Sequence, residues 1–558
     1  MSIFLTPPAV FRYFLTIAVP ALTLTVSLAQ PAHRRSGPGT EFEKAAANGT
    51  LTEEGYRRCE RYVQDWLKYA DPVSKLIPRN LDKDTDLWNA NDCAADNYPF
   101  MVLTSFFTNR DRFDGLMKEM LRNERKLTSR VKSLPDEYSF SKKGFVHDEV
   151  SMGRVVFGTA EYAKDGLMPL TEWLGPSVWS DRMVEMLDDL GGYITVADDP
   201  KFSITTKTEV NGELLQVLSR MFWMTGKREY LDWAVKIGNY FLLGEGHPLK
   251  SVNNLRLRDH GCELISGLCE LYATLHYTDR QKKESYREPL YRLLDHVLTY
   301  GRNGDGLFYN AINPLTNEVL DKNVSDSWGY NLNGYYTVFL VDGTERYRKA
   351  VTRLFGSLDK YRHHDWEAGS ADGYADAIES ALNLYNRMPD ERVANWIDSE
   401  IRVMWSMQDS SHRENARRWI GSGIIEGWHG DGNFARTTIM YNLWKSKGTY
   451  VYPLTGGVRL GGEMKGKALC LVVEAPAGGW TGKLYFDKAR HSESMKMPLD
   501  WPRINQFPEW FTVDTGKKYR ISDEKGRLIK EATGENLLAG IELSLKAGER
   551  KKMVVTPL

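Results

Sequence analysis

Residues 214–231, LLQVLSRMFWMTGKREYL, show the pattern on which the fold prediction rests. Leu214, Leu218 and Met221 recur at helical spacing and form one apolar stripe. The stripe ends at the short polar turn of residues 225–227, and a new aromatic and aliphatic pattern starts directly after it with Tyr230. This stretch therefore predicts two helices joined by a tight turn.

The same step recurs along most of the chain. The polar turns are Thr108-Asn109-Arg110, Leu174-Gly175-Pro176, Thr225-Gly226-Lys227, Thr278-Asp279-Arg280, Asp342-Gly343-Thr344, Met388-Pro389-Asp390 and Lys447-Gly448-Thr449. Repeated hairpins of this kind bury their apolar faces against their neighbours. The other connection in each unit is long and rich in Asp, Glu, His, Trp and Arg. We expect an (α/α)6 or (α/α)7 toroid over residues 51–450, with its functional site on the face of the long loops.

The inner helices of this ring can be placed from the apolar stripes. They are expected near residues 94–108, 155–174, 209–225, 260–277, 326–341, 371–387 and 432–446. After residue 450 the pattern changes to alternating β-formers, as in 468–473 (ALCLVV) and 483–486 (KLYF). Residues 451–558 therefore predict an antiparallel β-sandwich, and its segment 501–510 (WPRINQFPEW) is interpreted as an aromatic contact with the ring.

The composition sets limits on function. The chain of 558 residues is 42% apolar and 26% charged, which is too long for one hydrophobic core, and its formal net charge of −1 gives no reason to expect nucleic acid or a membrane surface as partner. The five cysteines show no disulfide framework or zinc spacing. Walker A, Rossmann and nucleophile-elbow motifs do not occur, so no cofactor is expected.

The first residues predict export. Arg12 is followed by an almost uncharged run to Leu28, and small residues precede a cleavage point near Ala29. Residues 1–29 are therefore expected to be a signal peptide, residues 30–50 a flexible leader, and the protein secreted or periplasmic in a bacterium. No other segment predicts a membrane span.

Polar residues gather where the inner helices start on the long-loop side. One acid per helix start is ordinary, because Asp caps helices and suits the helix dipole. The recurrence of His, Trp, Tyr and Arg beside these acids is not explained in that way. The segment 426–436, EGWHGDGNFAR, is the densest: it offers Glu426 and His429 for proton transfer, Trp428 as a floor for a sugar ring, and Arg436 to hold a carboxylate.

Two further segments carry candidates. In 256–263, RLRDHGCE, His260 lies beside Asp259 and is an oriented acid or base, with Arg256 as a second holder of a substrate carboxylate. In 371–379, Asp372, Asp376 and Glu379 fall on one helical face, where mutual repulsion raises the pKa of a carboxyl as a general acid requires.

Other positions complete the rim. Trp328, Tyr330, Tyr374 and Glu209 are expected to contact substrate, with Trp328 and Tyr374 stacking on sugar rings. His147 and His363 have acidic neighbours but no partner His at metal spacing, so a catalytic metal is not predicted.

With these motifs the chain resembles the α/α-toroid carbohydrate-active enzymes, which are secreted bacterial glycoside hydrolases and polysaccharide lyases. The resemblance covers residues 53–558 in architecture and is carried by 223–231 (WMTGKREYL), 258–261 (RDHG), 372–376 (DGYAD) and 426–429 (EGWH). It implies a poly- or oligosaccharide substrate. The mixture of Arg, Lys and His around the acids most resembles members that act on uronic-acid-containing glycans, including glucuronidase-like hydrolases.

Three functions stay open at this point. The first is glycoside hydrolysis by paired carboxylates, Asp372 or Asp376 with Glu426 or Asp259. The second is β-elimination by a polysaccharide lyase, in which His260, His429, Tyr330 or Tyr374 removes a proton and Arg436 neutralises the uronate. The third is glycan binding without catalysis.

Overall fold

The computed structural model describes residues 40–195, 207–410 and 419–558. The predicted signal peptide and residues 30–39 of the predicted leader lie outside these ranges. Within the described residues fourteen long helices occur before residue 446. They are α1 Thr40–Trp66, α2 90–108, α3 110–128, α4 152–174, α5 Val178–Thr195, α6 Thr208–Thr225, α7 228–243, α8 Glu263–Thr278, α9 Arg280–Tyr300, α10 Trp328–Asp342, α11 Glu345–Phe355, α12 Ala371–Arg387, α13 Glu391–Ser406 and α14 Gly430–Lys445.

These helices form a closed ring. The even-numbered helices pack against one another in order, and α14 packs against both α12 and α2 and so closes the circle. The odd-numbered helices lie outside them, with α1 against α14 and α2. The described residues thus contain seven inner and seven outer helices, and the toroid predicted from the repeat is confirmed with seven hairpin units.

The tight turns of the sequence pattern close the hairpins at one end of the ring. Gly226 and Gly343 take left-handed backbone conformations with φ of 72° and 68°, which end α6 and α10 without the strain of a Cβ. Asp279 and Asp390 cap the following helices by accepting hydrogen bonds from the backbone N–H groups of Lys282 and Arg392 at 2.9 Å each. The opposite end therefore carries the long connections.

Short β-strands lie within the long connections. They form the sheet β1 Leu87–Trp88, β4 Tyr138–Ser139 and β5 Gly144–Phe145, the hairpin β2 Ser129–Val131 and β3 Leu134–Pro135, and the sheet β6 Leu255–Arg256, β7 Tyr309–Asn313 and β8 Glu318–Val324.

The C-terminal part is an antiparallel β-sandwich, as predicted. Its strands are β9 Tyr450–Tyr452, β10 Arg459–Lys465, β11 Ala468–Glu474, β12 Trp480–Tyr485, β13 Lys518–Ser522, β14 Leu528–Thr533, β15 Ile541–Leu545 and β16 Arg550–Pro557. One sheet has the order β10-β11-β16-β13-β14 and the other β15-β12-β9. Leu471 and Val555 of the first sheet share a buried core with Leu484 and Leu543 of the second.

The flexible leader predicted for residues 30–50 is wrong from Thr40 onwards, because α1 begins there. Phe42 and Ala45 of α1 are buried against Cys470 and Val472 on β11. Burial of this apolar surface holds the small, polar sequence in a helix. The sequence pattern missed it because the partner surface lies far along the chain.

The segment between β12 and β13 enters the ring. We call residues 499–510 the plug loop. Trp501, Arg503, Ile504, Asn505 and Phe507 in it are almost fully buried. They reach the C-terminal halves of the inner helices, where the Trp501 indole donates to Glu270 of α8 at 3.1 Å and Arg503 pairs with Glu172 of α4 at 3.2 Å. The plug loop therefore fills the bore of the ring from the tight-turn end.

None of the helices in the described part of the chain combines the length and the apolar content that a membrane crossing requires.

Candidate active site

A cavity of about 430 Å³ lies at the long-loop end of the ring, above the plug loop. Its described lining comprises Asn91, Asp92, Asp96, Phe157, Glu161, Lys164, Asp165, Asp259, Glu263, Tyr330, Glu367, Ser370, Asp372, Asp376, Glu426, Trp428, His429, Asn433, Arg436, Ile504 and Asn505. Most of these residues come from the starts of inner helices, and two come from the plug loop. The prediction that long loops and helix starts meet at one polar cavity therefore agrees with the geometry.

Acids dominate the lining. Ten of the described lining residues carry a carboxyl group and three carry a cationic side chain. Each cation already contacts protein carboxylates: Lys164 lies 2.7 Å from Asp165 and 2.5 Å from Glu263, and the other two are described below. The cavity thus has more potential negative charge than its own cations neutralise, and repulsion among the carboxyls disfavours full ionisation.

Two π-helical segments deliver several of these side chains. Ala90–Asn97 at the start of α2 carries Asp92 and Asp96, and Tyr162–Leu167 within α4 carries Lys164 and Asp165. The wider π turn brings residues four apart nearly in line, so both aspartates face the cavity. The Asn89 side chain starts the first segment by accepting from the backbone N–H groups of Asp92 and Cys93.

His429 bridges two carboxylates. Its Nδ1 lies 3.2 Å from Asp92 Oδ1 and its Nε2 lies 3.6 Å from Asp372 Oδ2. Burial disfavours a charged imidazole, but these two carboxylates and Asp96 outweigh it and raise the pKa of His429 well above its usual value. Burial alone would raise the pKa of each carboxyl. The contacts with His429 outweigh it, so they lower the pKa of Asp92 to about 2 and hold the pKa of Asp372 well below its usual value. His429 is therefore a cation that keeps its two neighbours ionised.

Asp96 lies beside this group, but its pKa is shifted in the opposite direction. Burial raises the pKa of Asp96 well above its usual value, and the nearby acids Asp165, Asp372 and Glu161 raise it further against the pull of His429. The Asn433 side chain contacts both kinds of carboxyl, since Nδ2 donates to Asp372 Oδ1 at 2.6 Å and lies 3.4 Å from Asp96 Oδ1. One amide therefore joins a proton-holding carboxyl to an ionised one.

Arg436 lies deeper, below the cavity floor. Its Nη2 lies 2.7 Å from Asp376 Oδ1 and its Nε lies 2.9 Å from Glu379 Oε2. Its Nη1 donates to the side-chain oxygens of Asn433 and Asn505 at 2.9 Å each. The guanidinium is 3% exposed and contacts these acceptors inside the protein, so the geometry does not favour the predicted role of Arg436 as holder of a substrate carboxylate.

Close packing explains a glycine of the segment 427–432. Gly432 of α14 packs so closely on α2 that a Cβ would come within 2.2 Å of the Asp96 carbonyl oxygen. Asp431 accepts from the backbone N–H groups of Ile425, Glu426 and Gly427 and from the indole of Trp66 at 2.8 Å. Burial raises the pKa of Asp431 to about 7. Asp431 and the glycines therefore shape the loop that presents Trp428 and His429.

Several other predicted residues line the cavity. Glu426 accepts from the Ala371 N–H at 2.8 Å and so anchors the start of α12. Asp259 has φ of 47° and pairs with Arg256 and Arg258 at 2.5 and 3.1 Å. Trp428 is 39% exposed at the rim, and its indole N–H donates to Asp92 at 3.1 Å.

Four predicted substrate contacts do not reach the cavity. Trp328 is fully buried edge-on against Trp396, and Tyr374 is 3% exposed in the same hydrophobic core, so neither ring is available to stack on a sugar. Arg256 and Glu209 pair with each other at 3.1 Å outside the cavity lining. The side chain of His260 lies outside the described part of the structure.

The sequence interpretation left out other lining residues. They include Glu161, Lys164, Asp165, Glu367 and Asn505. Glu161, Lys164 and Asp165 share one helical face in the middle of a long inner helix, away from the helix starts to which the prediction assigned the site. Asn505 belongs to the plug loop, and only its Pro-flanked, aromatic composition marked that loop as unusual.

Two sets of described side chains have the separation of metal ligands, and one of them lies in this cavity. Asp92, Asp96 and His429 each offer one ligand atom, and these atoms lie within 4.8 Å of one another. Asp92 is, however, already the acceptor for Arg79 at 2.9 Å and for Asn89 at 2.5 Å. The hydrogen-bond network accounts for this grouping without an ion.

Comparison with known proteins gives similarity at the level of the chain fold. No family model and no curated protein matches this sequence. A family 76 glycoside hydrolase (mannosidase) of Bacteroides thetaiotaomicron is 11% identical, with 70% of this chain and 98% of that chain covered at a TM-score of 0.38. Unsaturated glucuronyl hydrolase from Bacillus sp. GL1 is 11% identical, with 52% and 86% covered at 0.35. Cellobiose 2-epimerase from Bacillus thermoamylovorans is 12% identical, with 51% and 87% covered at 0.37.

These neighbours are of the class that the sequence resemblance named. Similarity of this degree concerns the fold alone.

Proposed function

We propose that this protein is a glycoside hydrolase in which Asp96 is the general acid and Asp372 the ionised partner. The observation that carries the proposal is the shared contact of Asn433 with an oxygen of each carboxyl, at 3.4 Å for Asp96 and 2.6 Å for Asp372. Two carboxyls whose surroundings move their pKa values in opposite directions are the arrangement that acid and base roles require. The sequence predicted Asp372 or Asp376 paired with Glu426 or Asp259; the proposal keeps Asp372 and takes Asp96 as its partner.

The spacing favours retention of configuration. The two contacted oxygens lie no farther apart than the sum of their distances to Asn433 Nδ2. This limit applies to one oxygen of each carboxyl, and such close oxygens fit the about 5–5.5 Å between the carboxyl groups of retaining enzymes more readily than the about 6.5–9.5 Å of inverting ones. Asp372 would then attack the anomeric carbon as nucleophile, while protonated Asp96 protonates the leaving glycosidic oxygen. Asp96 as base next activates the water that releases the sugar.

The surroundings of Tyr330 support hydrolysis over elimination. Its hydroxyl oxygen lies 2.8 Å from Asp376 Oδ1 and 3.1 Å from Glu379 Oε2, and burial raises its pKa well above the usual value. A tyrosine that removes a proton from C5 of a uronate needs the opposite shift. The raised pKa of His429 and the burial of Tyr374 disfavour the other two described candidate bases.

The charge of the cavity supports a neutral glycan. The sequence pattern favoured a uronate because Arg256 and Arg436 were expected to hold its carboxylate. Arg436 is buried against Asp376 and Glu379, and Arg256 lies outside the lining. A lining rich in carboxyls offers acceptors for sugar hydroxyls and repels an anionic sugar.

Glycan binding without catalysis fits less well. Such a site is expected to present aromatic platforms, whereas Trp428 is accompanied here by paired carboxyls with divergent pKa values.

The test is a screen of the purified protein against neutral and uronate-containing oligosaccharides. Reducing sugar and the absorbance of an unsaturated uronate are followed in the same reactions, with Asp372→Asn as control. We expect reducing sugar from a neutral glycan, no absorbance, and no turnover by the variant. Absorbance would establish elimination, and binding without either product would establish a glycan-binding protein.

A further inference from the structure

The plug loop contributes to the cavity lining, and the side chain of its Asn505 hydrogen-bonds to other lining residues. This residue is 2% exposed, lines the floor of the cavity, and belongs to the β-sandwich segment between β12 and β13. Its backbone has φ of 60°, a left-handed conformation that Asn adopts more readily than most residues. Its backbone N–H donates to Glu379 Oε1 at 2.6 Å and thereby fixes the loop to α12.

The Asn505 amide connects two groups of cavity residues. Its Oδ1 accepts from Arg436 Nη1, and its Nδ2 donates to Asp165, which pairs with Lys164. These partners assign the orientation of the amide, since an arginine only donates and a carboxylate only accepts.

The first of these contacts continues to the proposed nucleophile. Arg436 Nη1 also donates to Asn433 Oδ1 at 2.9 Å, which turns the Asn433 amide so that Nδ2 faces Asp372 Oδ1 at 2.6 Å. A chain of three hydrogen bonds therefore runs from Asn505 through Arg436 and Asn433 to Asp372. Every member is a directional contact in a low-dielectric interior, where such networks hold side chains in one geometry.

We propose that Asn505 is a positioning residue through which the β-sandwich completes the active site, by orienting Arg436 and Asn433 against Asp372. This inference rests on the proposed hydrolase function. It implies that the sandwich is not a separable accessory domain: the ring without the plug loop has the carboxyls but lacks the group that orients them.

The test compares Asn505→Gly with Gln506→Ala in the full chain. Glycine suits the left-handed backbone and keeps the N–H bond to Glu379, so the variant removes only the two amide contacts. Gln506 is the matched control, because it is equally buried in the plug loop but bonds to Asp500 at 2.9 Å and Arg387 at 3.0 Å, outside the cavity lining.

We expect Asn505→Gly to lower kcat on the order of tenfold or more with a smaller change in KM, because misorientation of a reacting group acts on the chemical step. The acidic limb of its kcat–pH profile should move to higher pH, since a loosened Asn433 stabilises ionised Asp372 less. The charged groups that also act on Asp372 remain in both proteins; they are His429, Arg436, Asp96, Asp326, Glu367 and Asp376. The Gln506→Ala variant should have a lower melting temperature than the wild type, but the acidic limb of its kcat–pH profile should lie at the wild-type pH.

Equal pH profiles for the two variants would overturn the positioning role. If the glycine variant does not melt cooperatively, Asn505→Ser decides instead, because serine fills more of the space yet does not reach Arg436. A wild type without hydrolase activity would instead contradict the proposed function. Failure of the positioning role and failure of the proposed function are therefore distinguishable.

Discussion

The two ends of the ring bore both bury charged side chains, but they balance them differently. At the plug end buried carboxylates pair with arginines: Glu270 lies 2.6 Å from Arg220, and Asp500 lies 2.9 Å from Arg387. At the long-loop end, ten carboxyls of the lining face three cations. Paired charges let the sandwich dock in the ring, whereas the excess of acids leaves Asp96 and Asp376 with raised pKa values and therefore able to hold protons.

The comparison predicts that removing an ionised carboxyl from the cavity costs far more activity than stability. Asp372→Asn removes the proposed nucleophile and one of the two carboxylates that stabilise cationic His429. We expect kcat to fall by at least about 10²–10⁴-fold, with a small decrease in melting temperature because the fold favours the ionised form of Asp372. The control is Asp359→Asn on the outer surface, which loses only an exposed pair with Arg362. Comparable activity in both variants would contradict the assignment.

At the plug end we expect a substitution to lower stability and to leave activity nearly unchanged. Glu270→Gln leaves buried Arg220 with only the more distant carboxylate of Glu172, 3.8 Å away, and weakens the bond from the Trp501 indole. The free energy of unfolding should fall by about 3–5 kcal/mol, as measured by denaturant unfolding. Residual activity per folded molecule should stay close to wild type. Glu345→Gln, which breaks an exposed pair with Arg348, should change stability little.

The two ends should also differ in the pH dependence of stability. Because the pKa of Asp96 is raised in the folded protein, its unfolded form ionises first, and the wild type loses stability as pH rises above about 4, the ordinary value of a carboxyl. Asp96→Asn removes this loss. We expect the variant to be more stable at neutral pH, on the order of 1–2 kcal/mol, and the difference to vanish in acid. A constant difference across pH would mean that Asp96 is ordinarily ionised.

A substitution at the rim of the cavity should change the kinetic constants least. Trp428→Ala removes the exposed aromatic surface next to Asp92 and is expected to raise KM about 2- to 10-fold, equivalent to about 0.5–1.5 kcal/mol of stacking. Turnover at saturation should change much less. A collapse of kcat would show that Trp428 acts through His429, on which it lies at 4.4 Å between ring centroids.

The ring itself could be predicted from sequence because its signal is local. Apolar stripes and polar turns repeat in every hairpin, and the predicted inner helix 371–387 coincides with Ala371–Arg387. The helix start at residue 90 differs from the predicted 94 because a π-helical turn extends α2. The start of α1 was missed for a different reason, since its partner surface is on β11.

The site was predictable only in part. Asp372, Asp376, Glu426, Asp259, Tyr330, Trp428 and His429 reach the cavity because helix starts share one rim. Trp328 and Tyr374 do not, because a stripe does not reveal which aromatic faces the bore and which faces the core. Arg436 was given a substrate role because its acceptor Asn505 is 69 residues away in sequence and invisible to any local pattern.

The pH profile of kcat/KM, measured for the wild type and for Asp96→Asn, tests the central claim most directly. We predict a bell for the wild type, whose acidic limb reports ionisation of Asp372 and whose alkaline limb reports loss of the Asp96 proton. In Asp96→Asn the residual activity should lose the alkaline limb and keep the acidic one. An alkaline limb that persists unchanged in the variant would contradict the account.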